Sequence, residues 1–451
     1  MTNQLSFVNH ASFYVANDTS VLLVDPWVEG AVFNQGWSLL DNATSNAALV
    51  HQLSALQRNT VIWFSHEHPD HFSISFIKKL KQEFRGKLTL LFQRTKDRRV
   101  ASFLQKQGFE VVECDPGATH TIDPNLNITV FPYSDGDSWC LIKSGQRSIL
   151  NLNDCAMTTA AHCQAVAARI APLTSKLDVL MTQFGYANWV GNPCEPGLRR
   201  RAATEKRERI RLQMEILRPA LTIPFASFVT FSSIENQYLN DYQNSAYTIR
   251  QWSTLSPVTE SLRFMQPGDD INLDHMDDSA LLRMSHLAVE HWEKLGTAAR
   301  LALPPEPSLA PSDVEAAFAR HLANVAANLP GLPWLLERLG LIQPLTIHIA
   351  DLNLLARCSY VDGYRVCPAG TPHDIAMSSN SAAFLFGNDY GFNTTHVNGR
   401  FRTAHAAALQ RFSRFFMPQN LIRQGYGIRH PWATAGHLAG NVLGRMRAGA
   451  S

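Results

Sequence analysis

Between Trp63 and Ser73 the chain reads Trp-Phe-Ser-His-Glu-His-Pro-Asp-His-Phe-Ser, so His66, His68, Asp70 and His71 fall within six positions. Imidazole and carboxylate are borderline ligands that suit zinc and iron. Grouped in one turn, these four side chains can face two adjacent ions in two pairs, or Asp70 can orient a water on a metal. The competing reading is a polar loop that happens to hold histidines. It would leave adjacent buried imidazoles bearing a desolvation cost without partners.

The flanking residues say what must position the cluster. Val61-Ile62-Trp63-Phe64 is a continuous apolar run of the kind buried strands use, and Ser73 before Ile74, Phe76, Ile77 and Leu80 reads as the N-cap of an amphipathic helix. The His-rich segment is therefore a strand-to-helix loop. Upstream, Leu5 to Val15 and Ser20 to Val24 read as two strands joined by a turn at Ala16-Asn17-Asp18-Thr19. Leu88 to Phe92, Glu110 to Glu113, Ile128 to Pro132 and Trp139 to Lys143 read as further strands, with a helix near Val100 to Gln107. Such alternation belongs to a layered α/β fold.

The 451 residues are enough for two or three domains, and 45% hydrophobic content supports a large core. The 40 basic and 38 acidic residues nearly cancel, which gives no reason to expect nucleic acid or an anionic membrane as partner. No apolar run is long enough to span a bilayer, and Met1-Thr2-Asn3-Gln4 lacks signal-peptide character, so a cytoplasmic protein is expected. Seven scattered cysteines without Cys-x-x-Cys or Cys-x-His spacing read as reduced thiols and exclude an iron–sulfur or Rieske centre on this chain.

His-x-His-x-Asp-His after a buried strand resembles the signature of the metallo-β-lactamase fold. Asn9-His10-Ala11-Ser12-Phe13 and Val24-Asp25-Pro26-Trp27 are similar to segments that open many such proteins, and the resemblance implies that Asp25 supports the metal floor. His10 reads as structural, with a ligand role as the second reading. Asp25 to Gly30, Phe33, Gly36-Trp37 and Leu39-Leu40, then Lys78-Lys79-Leu80 and Ser148 to Cys155, resemble the metallo-β-lactamase-like domain of the cytidine-monophosphate N-acetylneuraminate hydroxylases, without their Rieske domain. This resemblance runs from about Asn9 to Leu273. It implies that Asp154, closing a strand, is the carboxylate that bridges two ions; an N-cap for a helix from Ala156 to Ala168 is the alternative.

Departures from the hydrolase pattern are equally informative. The resemblance leads one to expect a histidine in the loop Tyr133 to Ser138, where Asp135 and Asp137 stand, and another after Leu221-Thr222-Ile223-Pro224, where Phe225-Ala226-Ser227-Phe228 follows and Glu235 lies slightly beyond. The candidate ligand set is thus His66, His68, Asp70, His71 and Asp154 with Asp135, Asp137 and Glu235, and Asp70 and Asp154 are the candidate catalytic groups. A donor set poorer in nitrogen and richer in oxygen shifts preference from Zn toward Fe. The aromatic segment Gln183 to Val190 reads as a substrate wall or a packed loop in equal measure, and Arg199-Arg200-Arg201 through Arg209 as solvated charge on a long helix ending near Leu217, with binding of an anionic substrate group as the second reading.

The expected architecture is a metallo-β-lactamase αββα sandwich over residues 1–275, a helical connector over 276–344 broken at Leu303-Pro304-Pro305, and a small α+β domain over 345–451. The last resembles, loosely, sterol-carrier-like modules beside some metallo-β-lactamase domains; His373 and His396 in it read as structural. Three functions fit. The resemblance to a hydroxylase implies a non-haem iron oxygenase holding one or two Fe ions and acting on a small-molecule substrate, with electrons from an external reductase or ferredoxin or from the substrate itself. A Zn-dependent hydrolase of an ester, amide or phosphoester uses the same ligands. A binding protein with a degenerate site is the third.

Overall fold

The computed structural model describes residues 3–298, 304 and 306–428. Two compact units emerge: the first holds Met1–Ala187, Pro196–Ser232 and Gln237–Ala302, the second Asn188–Glu195, Ser233–Asn236 and Leu303–Ser451.

The first unit opens with β1 (Gln4–Asn9), β2 (Ser12–Ala16), β3 (Ser20–Val24) and β4 (Trp37–Leu39), then α1 (Asn46–Ala55), β5 (Asn59–Phe64), α2 (Ile74–Glu83), β6 (Leu88–Gln93), α3 (Arg99–Lys106) and β7 (Val111–Cys114). The expected long first strand is two strands folded back at His10-Ala11. His10 takes the left-handed backbone (φ 39°), and the Asn9 side chain accepts its N–H at 2.9 Å, so a tight turn held by a neighbouring side chain breaks the run without the glycine that would have marked it. β8 (Thr119–Asp123), β9 (Leu126–Pro132), β10 (Ser138–Ser144) and β11 (Arg147–Asn151) follow, then α4 (Ala160–Ile170), β12 (Val179–Gln183), α5 (Pro196–Leu217), β13 (Leu221–Phe225), β14 (Val229–Phe231), α6 (Ala246–Ser253), β15 (Asp270–Asn272) and α7 (Asp278–Ala298).

Two large sheets form, ordered β15-β1-β2-β3-β5-β6-β7 and β13-β12-β11-β10-β9-β8, and β14 pairs with β4 in a two-stranded ribbon. The period of two along each strand sorts side chains between layers. From β3 and β5, Val21, Leu23, Ile62 and Phe64 pack with Leu53 of α1, Phe76 and Leu80 of α2 and Leu104 of α3. Their alternates Leu22, Val24, Val61 and Trp63 join Ile128, Leu141, Ile149 and Leu180 of the second sheet. The parallel strands β11, β12 and β13 require crossovers, which α4 and α5 supply, burying Val166, Ile210 and Met214. The result is four layers, αββα. Burial of one such Phe or Leu contributes roughly 1.5–3 kcal/mol, so the continuous inner layer is what fixes the strand ends as a rigid platform.

The second unit contains α8 (Pro311–Asn328), α9 (Leu332–Arg338), β16 (Leu345–Ile349), β17 (Leu354–Ser359), β18 (Gly363–Val366), β19 (Ile375–Met377), α10 (Ser379–Gly387), α11 (Gly391–Asn398), β20 (Arg402–Thr403), α12 (Ala408–Phe415) and α13 (Met417–Arg423). Its sheet runs β18-β17-β16-β19-β20, with Val314, Phe318, Ile347, Leu385, Phe412 and Phe416 in its core. Of the helices expected to form a connector, α7 belongs to the first unit and α8 and α9 to the second.

Candidate metal centre

Strand register alone gathers the polar residues at one edge of the sandwich. β3 and β5 run parallel with Val24 opposite Trp63, so Asp25 and Ser65 leave their strands side by side. Phe13 opposite Val24 brings the β1–β2 turn, with His10, to the same edge. In the second sheet Cys140 pairs with Asn151 and Asn151 with Met181, which aligns the loop before β10 (Asp137), the residues after β11 (Asp154) and the end of β12 (Gln183). The sheets are tied there: the Ser138 hydroxyl donates to the Ser65 carbonyl at 2.5 Å, and the Gln93 amide donates to the Gly136 carbonyl. Ligands usually gather outside such carboxyl ends of parallel strands.

Three groups of ligand atoms result: His10, Asp70 and His71; His66, His71 and Asp154; and His66, His68 and Asp137. His66 Nε2 lies 2.9 Å from His68 Nδ1, 3.8 Å from Asp154 Oδ2 and 3.9 Å from Asp137 Oδ1. His71 Nε2 lies 3.3 Å from both Asp70 Oδ2 and Asp154 Oδ1. The turn itself is built by the His68 carbonyl, which accepts from the N–H groups of His71 and Phe72, and by Ser73, whose hydroxyl caps α2 by accepting the Phe76 N–H. His66, Asp70 and His71 are at most 2% exposed.

These donors fit a cation. Asp70 Oδ1, His71 Nε2 and both ring nitrogens of His10 are buried and make no hydrogen bond, a cost that a coordinated ion removes. Burial and the neighbouring His71 and His68 push the His66 imidazole well below its ordinary range, toward the neutral form a metal needs. Burial acts to lower His71 as well, but Asp70, Asp154 and Asp25 together raise it well above that range. Although burial pushes the carboxyls of Asp70 and Asp154 up, His71 foremost holds both below the usual carboxylate range. The acids thus demand local positive charge.

Supporting groups orient the ligands. Asp25, fully buried and itself in the left-handed region (φ 42°), accepts from Ser65 N and Oγ at 2.7 Å each, from Asn153 Nδ2 at 2.7 Å and from His71 Nδ1 at 3.0 Å. Fixing Nδ1 turns Nε2 toward Asp70 and Asp154. On the other side, Gln183 Nε2 donates to Asp154 Oδ1 at 2.5 Å, and Lys206 Nζ donates to Gln183 Oε1 at 2.7 Å. Burial, with Arg209 adding to it, lowers the half-buried Lys206 amine to about 8.

Most of the candidate ligands read from sequence converge here, and Asp137 occupies the loop where a histidine was expected. The side chain of Asp135 lies outside the described residues. Glu235 does not join any of these groups. It belongs to the second unit, where its carboxylate accepts from Arg400 Nε at 2.5 Å, because that guanidinium, 4% exposed, needs a counter-charge. His10 is the residue that sequence reasoning placed on the structural side and the structure brings into the cluster. Gln183 and Lys206 carried no ligand-type signal; the register of β11 against β12 brings Gln183 to the site, and the bond from Lys206 on α5 to Gln183 brings the amine behind it. Arg199, read as solvated charge, is 1% exposed with its guanidinium 5.0 Å from the Tyr238 ring centre. All seven cysteines are free thiols, and no helix of the described residues is long and apolar enough to cross a membrane.

Comparison with known proteins gives no matching family model. Over 247 residues the chain is 23% identical to the cytidine monophosphate-N-acetylneuraminic acid hydroxylase of Xenopus laevis, spanning 53% of this chain and 40% of that protein. Among solved structures it is similar to the diiron β-hydroxylase CmlA from Streptomyces venezuelae (15% identity, TM-score 0.39, 60% of this chain and 54% of that one). It is also similar to Igni18, a metallo hydrolase from Ignicoccus hospitalis (16% identity, TM-score 0.39, 60% and 98%). With its αββα layers and its ligand loop at the strand ends, the first unit is a relative of the metallo-β-lactamase-fold proteins.

Proposed function

We propose that this metallo-β-lactamase-fold relative is a metal-dependent enzyme, and that its chemistry is oxygenation of a small-molecule substrate at a non-haem iron site. The observation carrying the proposal is the donor set: Asp70, Asp137 and Asp154 converge with His66, His68 and His71, a mixed carboxylate and imidazole set in which Asp137 stands where the hydrolase pattern has a histidine, and such mixed sets suit iron. The hydroxylase named among its sequence relatives supports the same choice. Bound iron would supply dioxygen activation, whereas bound zinc would supply a water of lowered pKa.

This chain's residues would do the rest. Asp25 holds the His71 tautomer, with the proton on Nδ1, and Gln183 fixes the roll of Asp154. Trp27, 1% exposed, packs edge to face against the His10 ring at 5.3 Å and keeps that side of the site apolar. A reductase or ferredoxin, or the substrate, would provide electrons.

The second reading is zinc-dependent hydrolysis. His68, Asp137 and Asp154 are only partly buried, which leaves an edge that a water nucleophile and an ester, amide or phosphoester could reach. Metal analysis separates the two. Protein purified aerobically without added metal should carry iron and consume dioxygen; stoichiometric zinc with activity intact in anaerobic buffer would sink the oxygenase reading.

A further inference from the structure

We infer that His10 is a metal ligand, completing with Asp70 and His71 one of two adjacent cation positions at the strand edge, and that it stands in for the histidine this chain lacks after β13. The inference rests on the metal-site reading above and adds to it a residue from the β1–β2 turn.

Four observations converge. His10 is 1% exposed, and neither ring nitrogen makes a hydrogen bond. A buried imidazole in that state is rare, because both protonation states leave polar atoms unsatisfied. Nε2 lies 3.5 Å from Asp70 Oδ2, an oxygen that is also 3.3 Å from His71 Nε2, so two imidazole nitrogens converge on one carboxylate, whose other oxygen makes no hydrogen bond either. The backbone is left-handed at His10 (φ 39°), a conformation that histidine adopts only against a steric cost. The surroundings hold it there: Asn9 Oδ1 accepts its N–H, and its carbonyl accepts the Ala226 N–H at 2.7 Å.

That last contact ties the turn to the first residue after β13. Ala226 offers only a methyl group and is itself left-handed (φ 50°). The two segments are neighbours, and the imidazole comes from the other one. Packing is the alternative role, since the His10 ring meets Trp27 edge to face at 5.3 Å. Packing needs an aromatic ring but no nitrogen, and this difference supplies the test.

His10→Phe keeps a ring against Trp27 and removes every donor, and His10→Asn suits the left-handed backbone and replaces the imidazole nitrogen by a shorter, weaker amide oxygen. Full-length wild type and variants would be loaded with Fe(II) or Zn(II), bound metal counted per chain, and affinity measured by chelator competition beside thermal unfolding of the metal-free proteins. The expected result is two ions per wild-type chain and one per variant, or at least a tenfold weaker second ion, with metal-free unfolding unchanged in one variant or both. Two ions held equally well by wild type and both variants, or a single ion of unchanged affinity in all three, overturns the inference while the metal site stands. A wild-type chain that holds no metal overturns the site reading instead.

Discussion

Asp25 and His71 are 46 residues apart, yet the carboxylate of one accepts the Nδ1 proton of the other at 3.0 Å inside the core. Asp25 accepts three further hydrogen bonds, from Ser65 and Asn153. Asp25→Asn would turn an NH2 group toward donors and leave several of them unmet. Metal affinity should fall 10–100-fold, the usual effect of losing such a support, and unfolding should become easier by about 1–3 kcal/mol for each buried donor left unsatisfied. Chelator competition and denaturant titration check the two effects separately.

The relay from Lys206 through Gln183 to Asp154 makes a second prediction. Lys206→Met keeps the stem of the side chain but removes the charge that holds the Gln183 carbonyl, so the amide is free to turn its oxygen toward Asp154. Metal affinity should drop about tenfold. Because Lys206 sits on α5 and is only half-buried, the stability of the metal-free protein should move by less than about 1 kcal/mol. A large stability loss with normal metal uptake would show instead that Lys206 serves packing.

Glu235 gives a contrasting case. Glu235→Ala removes one of two carboxylates around the buried Arg400; Glu306 Oε2, 2.7 Å from Nη2, remains. The second unit should lose about 2 kcal/mol of stability, while metal content stays at the wild-type level. Loss of bound metal in this variant would return Glu235 to the ligand set.

The second unit should also be acid-labile. His321 is 3% exposed among Phe318, Phe386, Phe415 and Phe416, with Nε2 3.1 Å from the Tyr360 hydroxyl, and burial lowers it to about 4. The unfolded chain takes up this proton near the ordinary value of 6.5 and the folded unit resists it, so stability is full above about pH 6.5 and falls as pH drops toward 4. The loss approaches about 3 kcal/mol, from roughly 1.4 kcal/mol per pH unit. His321→Phe should flatten that slope in urea titrations at stepped pH.

Legibility in the sequence followed range. His66 to His71 announced itself because ligands, strand and helix cap lie within about a dozen residues, and the αββα layers followed from the resemblance that this motif carries. His10 was harder to place: the run Leu5 to Val15 reads as one strand, which leaves a structural role as the first reading and a ligand role as the second. Its turn depends on an asparagine side chain and a left-handed histidine, for which period-two patterning gives no sign. Glu235 failed in the opposite way. Nearness in sequence to the end of β13 suggested a ligand, but the burial of Arg400, 165 residues further on, decides where that carboxylate goes. Gln183 matters only because parallel pairing sets β12 beside β11, and Lys206 only because α5 lays its amine against the Gln183 carbonyl.

The division of the chain into units carries a consequence for how it can be cut. Residues 188–195 and 233–236 are embedded in the second unit, where Trp189 stacks on Phe401 at 5.0 Å and Asn192 and Asn236 bond to the backbone at Thr403 and Asn398. Neither unit is therefore one uninterrupted length of polypeptide. A gene ended after Ala302 would strand an indole and two amides without their partners, and a fragment beginning at Leu303 would lack part of its own core. A cut at the boundary between residues 302 and 303 therefore yields two incomplete pieces, and only the uninterrupted chain supplies every strand of both units with its partners.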